Sequence, residues 1–157
     1  MTEHTEITRR AKAVEPRSVE PTVGQVRGTK RLLALLLEDE PLIAMDVEMT
    51  LERAGFDVIN LMSREEATTW LDLHFPDVVI VDVDLRDGRC TDVVSRLFRA
   101  NIPFVVHSGQ EQHKFADSPF ASGTWVGKPS IADDLANVVK NAANGFSRPV
   151  SNYVWPP

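Results

Sequence analysis

Cysteine is almost missing from this sequence: Cys90 is the only one in 157 residues. A lone thiol excludes a disulfide framework and a cysteine-rich zinc site. A reducing, cytoplasmic setting is the simplest expectation, with Cys90 itself a packing residue. No apolar stretch reaches the ~18 residues of a membrane span. The N-terminal stretch lacks the apolar segment of a secretory signal. No segment repeats. Excess positive charge is also missing from most of the chain. Residues 1–31 hold seven Lys or Arg against four Glu, a net +3; the remainder holds ten basic and nineteen acidic residues, a net -9. By charge, the larger part is a poor nucleic-acid binder.

What is present begins with an arm. Residues 1–30 are rich in Pro, Thr and Glu, with little aliphatic pattern, and read as a flexible basic extension. The span 31–145 then alternates short apolar runs with helical periodicity. Leu32 to Leu37 reads as a first strand. Pro41 suits a helix start, and Ile43, Val47, Leu51 and Ala54 recur at helical spacing up to Gly55. Phe56 to Met62 reads as a second strand. Ser63 and Glu66 form a capping-box pattern, opening a helix through Trp70 and Leu71. Val78 to Val81 is a third strand. Asp87-Gly88 signals a turn, and Thr91 to Ala100 a helix burying Val93, Val94, Leu97 and Phe98. Phe104 to His107 is a fourth strand. Asp117-Ser118-Pro119 and Gly123 allow at most a short helix near Glu111–Phe115. Trp125 and Val126 lie on a fifth strand. Ser130 and Asp133 suggest a second capping box, starting a helix with Ile131, Leu135, Val138, Val139 and Ala142 and ending at Gly145. Residues 146–157 read as a tail, too short for an effector domain. Five alternating βα units imply an α/β fold, a five-stranded parallel sheet with helices on both faces.

The chemistry gathers where these strands end. The first is followed by Glu38-Asp39-Glu40 and the third by Asp82. The fourth leads to Ser108-Gly109 and the fifth to Lys128-Pro129. In open α/β sheets, ligands bind at the carboxyl ends of strands. At ~4 Å and an effective dielectric near 20, each like-charge pair costs on the order of 4 kcal/mol. A hard divalent cation with oxygen ligands relieves that repulsion, which points to Mg²⁺. Carboxylates for a metal, a carboxylate nucleophile, a hydroxyl and an ammonium together suit phosphoryl transfer. Strand alternation points His107 away from Ser108, toward the core.

Five pieces in order, Leu-Leu-Leu-Glu38-Asp39-Glu40, Val-Val-Ile-Val-Asp82, Asp87-Gly88, Ile-Pro-Phe-Val-Val-His-Ser108-Gly109 and Lys128-Pro129, resemble the receiver domain of two-component response regulators. The resemblance covers about residues 31–144 and implies the flavodoxin-like receiver fold. It implies that Asp82 is phosphorylated by a histidine kinase or a phosphotransfer protein. It makes Asp39, Asp82 and the backbone carbonyl of Asp84 Mg²⁺ ligands, with Glu38 acting largely through metal-bound water. It makes Ser108 the switch hydroxyl and Lys128 the ion-pairing lysine. Trp125 stands where the family has a switch aromatic, usually Tyr or Phe, and a Trp swings inward less cheaply. Residues 103–110 also resemble a subgroup reading Pro-Phe-x-Phe-Ala-Thr-Gly-Tyr. Here Val106-His107-Ser108 replaces Phe-Ala-Thr, and Gln110 replaces Tyr. That subgroup often has a weak fourth helix. The implied product is a stand-alone regulator that catalyses only its own phosphorylation and dephosphorylation. It would act in phosphorelay or by binding a downstream protein, without direct nucleic-acid or membrane contact. Two alternatives stand beside it. Asp82-Val83-Asp84 also resembles the nucleophile motif of haloacid-dehalogenase-type phosphohydrolases, although Arg86 departs from it. A receiver fold kept only as a binding module is the other.

Overall fold

The computed structural model describes residues 30–145; the expected basic arm, Lys30 apart, and the 146–157 tail lie outside the described residues. Aliphatic runs build the sheet. β1 is Leu32–Leu37, β2 Phe56–Leu61, β3 Val78–Val81, β6 Phe104–Ser108 and β7 Thr124–Gly127. They pair in parallel in the order β2-β1-β3-β6-β7. A further pair, β4 (Asp84–Leu85) and β5 (Gly88–Arg89), forms a small antiparallel hairpin after β3.

Alternation along the central strands separates two cores. Leu35, Leu37, Val79, Val81 and Val106 face one layer, packed by α2 (Arg64–Leu73) and α3 (Thr91–Arg99). Ala34, Leu36, Val78, Ile80 and Val105 face the other, covered by α1 (Pro41–Arg53) and α4 (Ala132–Gly145). β3 is completely buried on both faces, as expected of a central parallel strand. Between β6 and β7 stand only two 3-10 turns, Gln112–Phe115 and Pro119–Ser122. The breakers at 117–119 leave room for nothing longer. Gly123 then passes so close to Phe104 that a Cβ there would lie 2.3 Å from the ring. Among the described residues, no helix is long and apolar enough to cross a membrane.

Three expectations about burial and capping are corrected. Phe98 is 60% exposed. It lies ~100° around the helix from buried Leu97 and borders a groove with Pro103 and Ala142. Ile131 is 69% exposed, because α4 begins one residue after it. The first α4 bond runs from Leu135 N–H to Ile131 O. Ser130 is therefore not the cap; its hydroxyl meets His107 instead. The first capping box does form at Ser63, whose Oγ accepts from Glu66 N–H at 3.2 Å. Its Glu66 carboxylate accepts from Met62 N–H, one residue before the cap.

Candidate functional site

Parallel register sets the site. Leu37 stands opposite Val81, so Glu38 and Asp82 leave β1 and β3 side by side. The Asp82 N–H still donates to Leu37 O at 3.0 Å. β2 lies on one side of β1 and β3 on the other, so the strand order reverses here, where α/β sheets open a ligand crevice. Ligand oxygens of Glu38, Asp39 and Asp82 lie within 4.8 Å of one another. That all-oxygen, all-carboxylate set fits a hard divalent cation.

Lys128 reaches this cluster from the end of β7. Its Nζ donates to Glu38 Oε2 at 2.5 Å and to Asp82 Oδ2 at 2.8 Å. Glu38 is 1% exposed, and Lys128 and Asp82 are nearly buried. Burial works to lower the Lys128 pKa, but the hydrogen bonds and charges of Asp82 and Glu38 outweigh it and hold the group above its ordinary value. The second oxygen of each carboxylate also accepts a hydrogen bond. Glu38 Oε1 accepts from Glu40 N–H, and Asp82 Oδ1 from Val83 N–H at 2.7 Å. The Asp82 carboxylate is thus held at both oxygens.

Ser108 ends β6, buried, with its Oγ accepting from Gln110 N–H at 3.2 Å. Its carbonyl accepts from Lys128 N–H at 2.9 Å, across the β6–β7 pairing. Trp125 does not approach the acids. It is half-buried on β7, 5.4 Å from the ring of Phe115, which also packs edge-on against Phe120. Asp84 opens β4, and its side chain is turned to Arg89 at 3.0 Å and to the Gln110 amide, which donates to it. Its carboxylate is not part of the acidic trio.

Several participants escape sequence reasoning. The Arg86-Asp87 turn of the hairpin puts Gly88 at φ +122, a value open to glycine. Asp87 then accepts from the N–H groups of Arg64 and Glu65, the first of α2. Burial raises its pKa, but those hydrogen bonds outweigh it and bring it below the usual carboxylate value. Arg89 lies over the Phe115 ring at 5.3 Å, so Gln110, Asp84, Arg89, Phe115 and Trp125 make one chain of contacts. Asp87-Gly88 was the one signal for this hairpin. Nothing in the sequence pairs Gln110 with Asp84.

Comparison with known proteins points to one family. The family model described as "Response regulator receiver domain" matches residues 34–140. A transcriptional regulatory protein, PdtaR of Mycobacterium tuberculosis, is 31% identical over 118 residues, covering 71% of this chain and 57% of its own length. The cell cycle response regulator CtrA of Brucella ovis is 28% identical, covering 64% of this chain and 45% of its own. The chain therefore spans about half the length of these relatives. Among solved structures, a sensor protein from Polaromonas sp. JS666 matches with TM-score 0.66 at 25% identity, over 73% of this chain and 98% of that one. The receiver domain of a sensor histidine kinase from Pseudomonas aeruginosa, solved with a magnesium ion coordinated in its active-site cleft, matches with TM-score 0.65 at 15% identity, over 73% of this chain and 98% of that one.

Proposed function

The chain belongs to the response regulator receiver domain family, and we propose that it accepts a phosphoryl group on Asp82 from a phosphorylated histidine of a kinase or phosphotransfer protein. The observation that carries this reading is the position of Asp82. It is the carboxylate that ends β3, shared between Lys128 and the acidic trio with Glu38 and Asp39. Glu38, Asp39 and Asp82, with the backbone carbonyl of Asp84, would hold Mg²⁺, which when bound neutralises charge on the phosphoryl oxygens. The magnesium in the Pseudomonas receiver supports that assignment.

The chain's own groups do the rest. Val83 N–H fixes the rotation of the Asp82 carboxylate through Oδ1. A carboxylate oxygen attacks phosphorus, the P–N bond breaks, and its electron pair returns to the histidine ring. Lys128, already on Asp82, follows the charge onto the phosphoryl oxygens. The Ser108 hydroxyl accepts from Gln110 N–H, so its own proton is free to donate to the phosphoryl group. Hydrolysis of the acyl phosphate resets the domain. The signal then leaves through the surface of β6, residues 109–122 and β7, toward a downstream protein.

The test is transfer itself. The full chain is mixed with a histidine-phosphorylated kinase or phosphotransfer domain and Mg²⁺, and label is followed. Label should move to this chain and stay with the donor when Asp82→Asn is used. Steady turnover of a phosphate ester instead would favour a phosphohydrolase.

A further inference from the structure

We propose that His107 is a positioning residue for Lys128, acting through its hydrogen bond to Ser130. The proposal rests on the reading of Asp82 as phosphoacceptor and Lys128 as its counter-ion. His107 sits on β6 directly before Ser108 and is 3% exposed. Its Nε2 lies 2.9 Å from Ser130 Oγ. Across the sheet it stands opposite Val126, and Ser108 opposite Gly127. The loop that carries Lys128 is therefore fastened to consecutive β6 residues. Ser108 O takes the Lys128 N–H, and the His107 imidazole shares a hydrogen bond with the Ser130 hydroxyl. One tie falls on Lys128 itself and the other two residues further on, at Ser130.

The chemistry argues that this tie is not there for stability. Among the described residues His107 Nδ1 is buried without a hydrogen-bond partner, and an unpaired buried polar atom is a net cost. Its neighbour two residues back, Val105, shows that the same face accepts an aliphatic side chain. The tie also draws the Ser130 hydroxyl away from capping α4, the role its sequence pattern suits. Two stabilising options are forgone, and what is gained is a fixed loop under a lysine. The Lys side chain is a long flexible stem, so where its ammonium rests depends on how firmly its backbone is held. Nζ must span two carboxylates at 2.5 and 2.8 Å, which leaves little room for a wandering Cα.

The experiment follows phosphorylation of the full chain by phosphoramidate with Mg²⁺ and reads the rate by intact mass. His107→Val and Ser130→Ala should each slow it on the order of five-fold, the rate equivalent of one net hydrogen bond. The double variant should be no slower than the slower single one, because both remove the same bond. His107→Gln, whose amide can reach Ser130, should recover most of the rate. In a Lys128→Ala background, His107→Val should add nothing. Ser130→Ala, in a loop, keeps the test open should His107→Val fold poorly. Unchanged rates in both single variants overturn the proposal, and so does an equal slowing by His107→Val with and without Lys128. A wild-type protein that takes up no phosphoryl group on Asp82 instead defeats the underlying reading, and the positioning role falls with it.

Discussion

Lys128 places its ammonium 2.5 Å from Glu38, a carboxylate ninety residues away in sequence and 1% exposed. With Asp82 as second partner, the lysine is the internal counter-charge of the acidic trio. It occupies two of the acids that a cation would use, so ammonium and metal compete for the same negative charge.

Lys128→Met should therefore do two opposite things. Without metal it strands a buried carboxylate, which should cost roughly 3 kcal/mol of stability. With metal it should bind Mg²⁺ more tightly than wild type, because a neighbouring positive charge is gone. Denaturant unfolding in chelator and in a Mg²⁺ series measures both. A variant that is destabilised and also binds Mg²⁺ more weakly would show that Lys128 organises the acids rather than competing at them.

Magnesium should stabilise the wild-type protein. A ligand that binds only the folded state adds RT ln(1 + [L]/Kd), about 2.7 kcal/mol at ~100-fold excess over Kd. Asp39→Ala should remove most of that gain while leaving metal-free stability nearly unchanged or higher, since a repelling charge is lost. A melting temperature of the wild type that ignores millimolar Mg²⁺ would rule the trio out as a metal site.

Stability should also fall as pH drops below neutrality, through His107. Burial, and then the charge of Lys128, push its pKa down to about 4, against an unfolded value near 6.5. Between those values the unfolded chain binds the extra proton. The contribution is intact above pH ~6.5, is lost by about 2 kcal/mol at pH ~5, and falls no further below the folded pKa. Comparing the pH 7.5 and pH 5 stabilities of wild type with those of His107→Gln isolates this term. Equal pH sensitivity in the two proteins would contradict it.

Asp87→Ala should cost about 1 kcal/mol, the usual value of a lost helix cap. It takes hydrogen-bond acceptors from the first two N–H groups of α2. Hydrogen exchange should show the loss at 64–66 first, whereas uniform loss across the domain would mean that the hairpin matters more than the cap.

The sheet and the rim were legible because long-range order here follows from local pattern. Four β-branched residues bounded by Asp77 and Asp82 read as a central strand, and helices between such strands favour parallel neighbours. That alone brings Glu38, Asp82, Ser108 and Lys128 to one edge. What pattern does not encode is partner choice among equals. Ser130 has the spacing of a cap, yet a buried imidazole competes for its hydroxyl. Phe98 continues an apolar stripe, but the layer is already filled by Ile102 and Phe104 from the following segment. The hairpin at 84–89 is too short for any periodicity, and its Asp84–Gln110 bond joins residues 26 apart.

The central claim is that Asp82 receives the phosphoryl group, and intact mass after incubation with phosphoramidate and Mg²⁺ tests it most directly. The full chain should gain the mass of one phosphoryl group, fail to gain it in chelator-treated controls, and gain nothing as Asp82→Asn, with the label mapping to the peptide that contains β3 and Asp82. Labelling of Asp82→Asn at the wild-type rate, or of wild type at any other residue, would contradict the account.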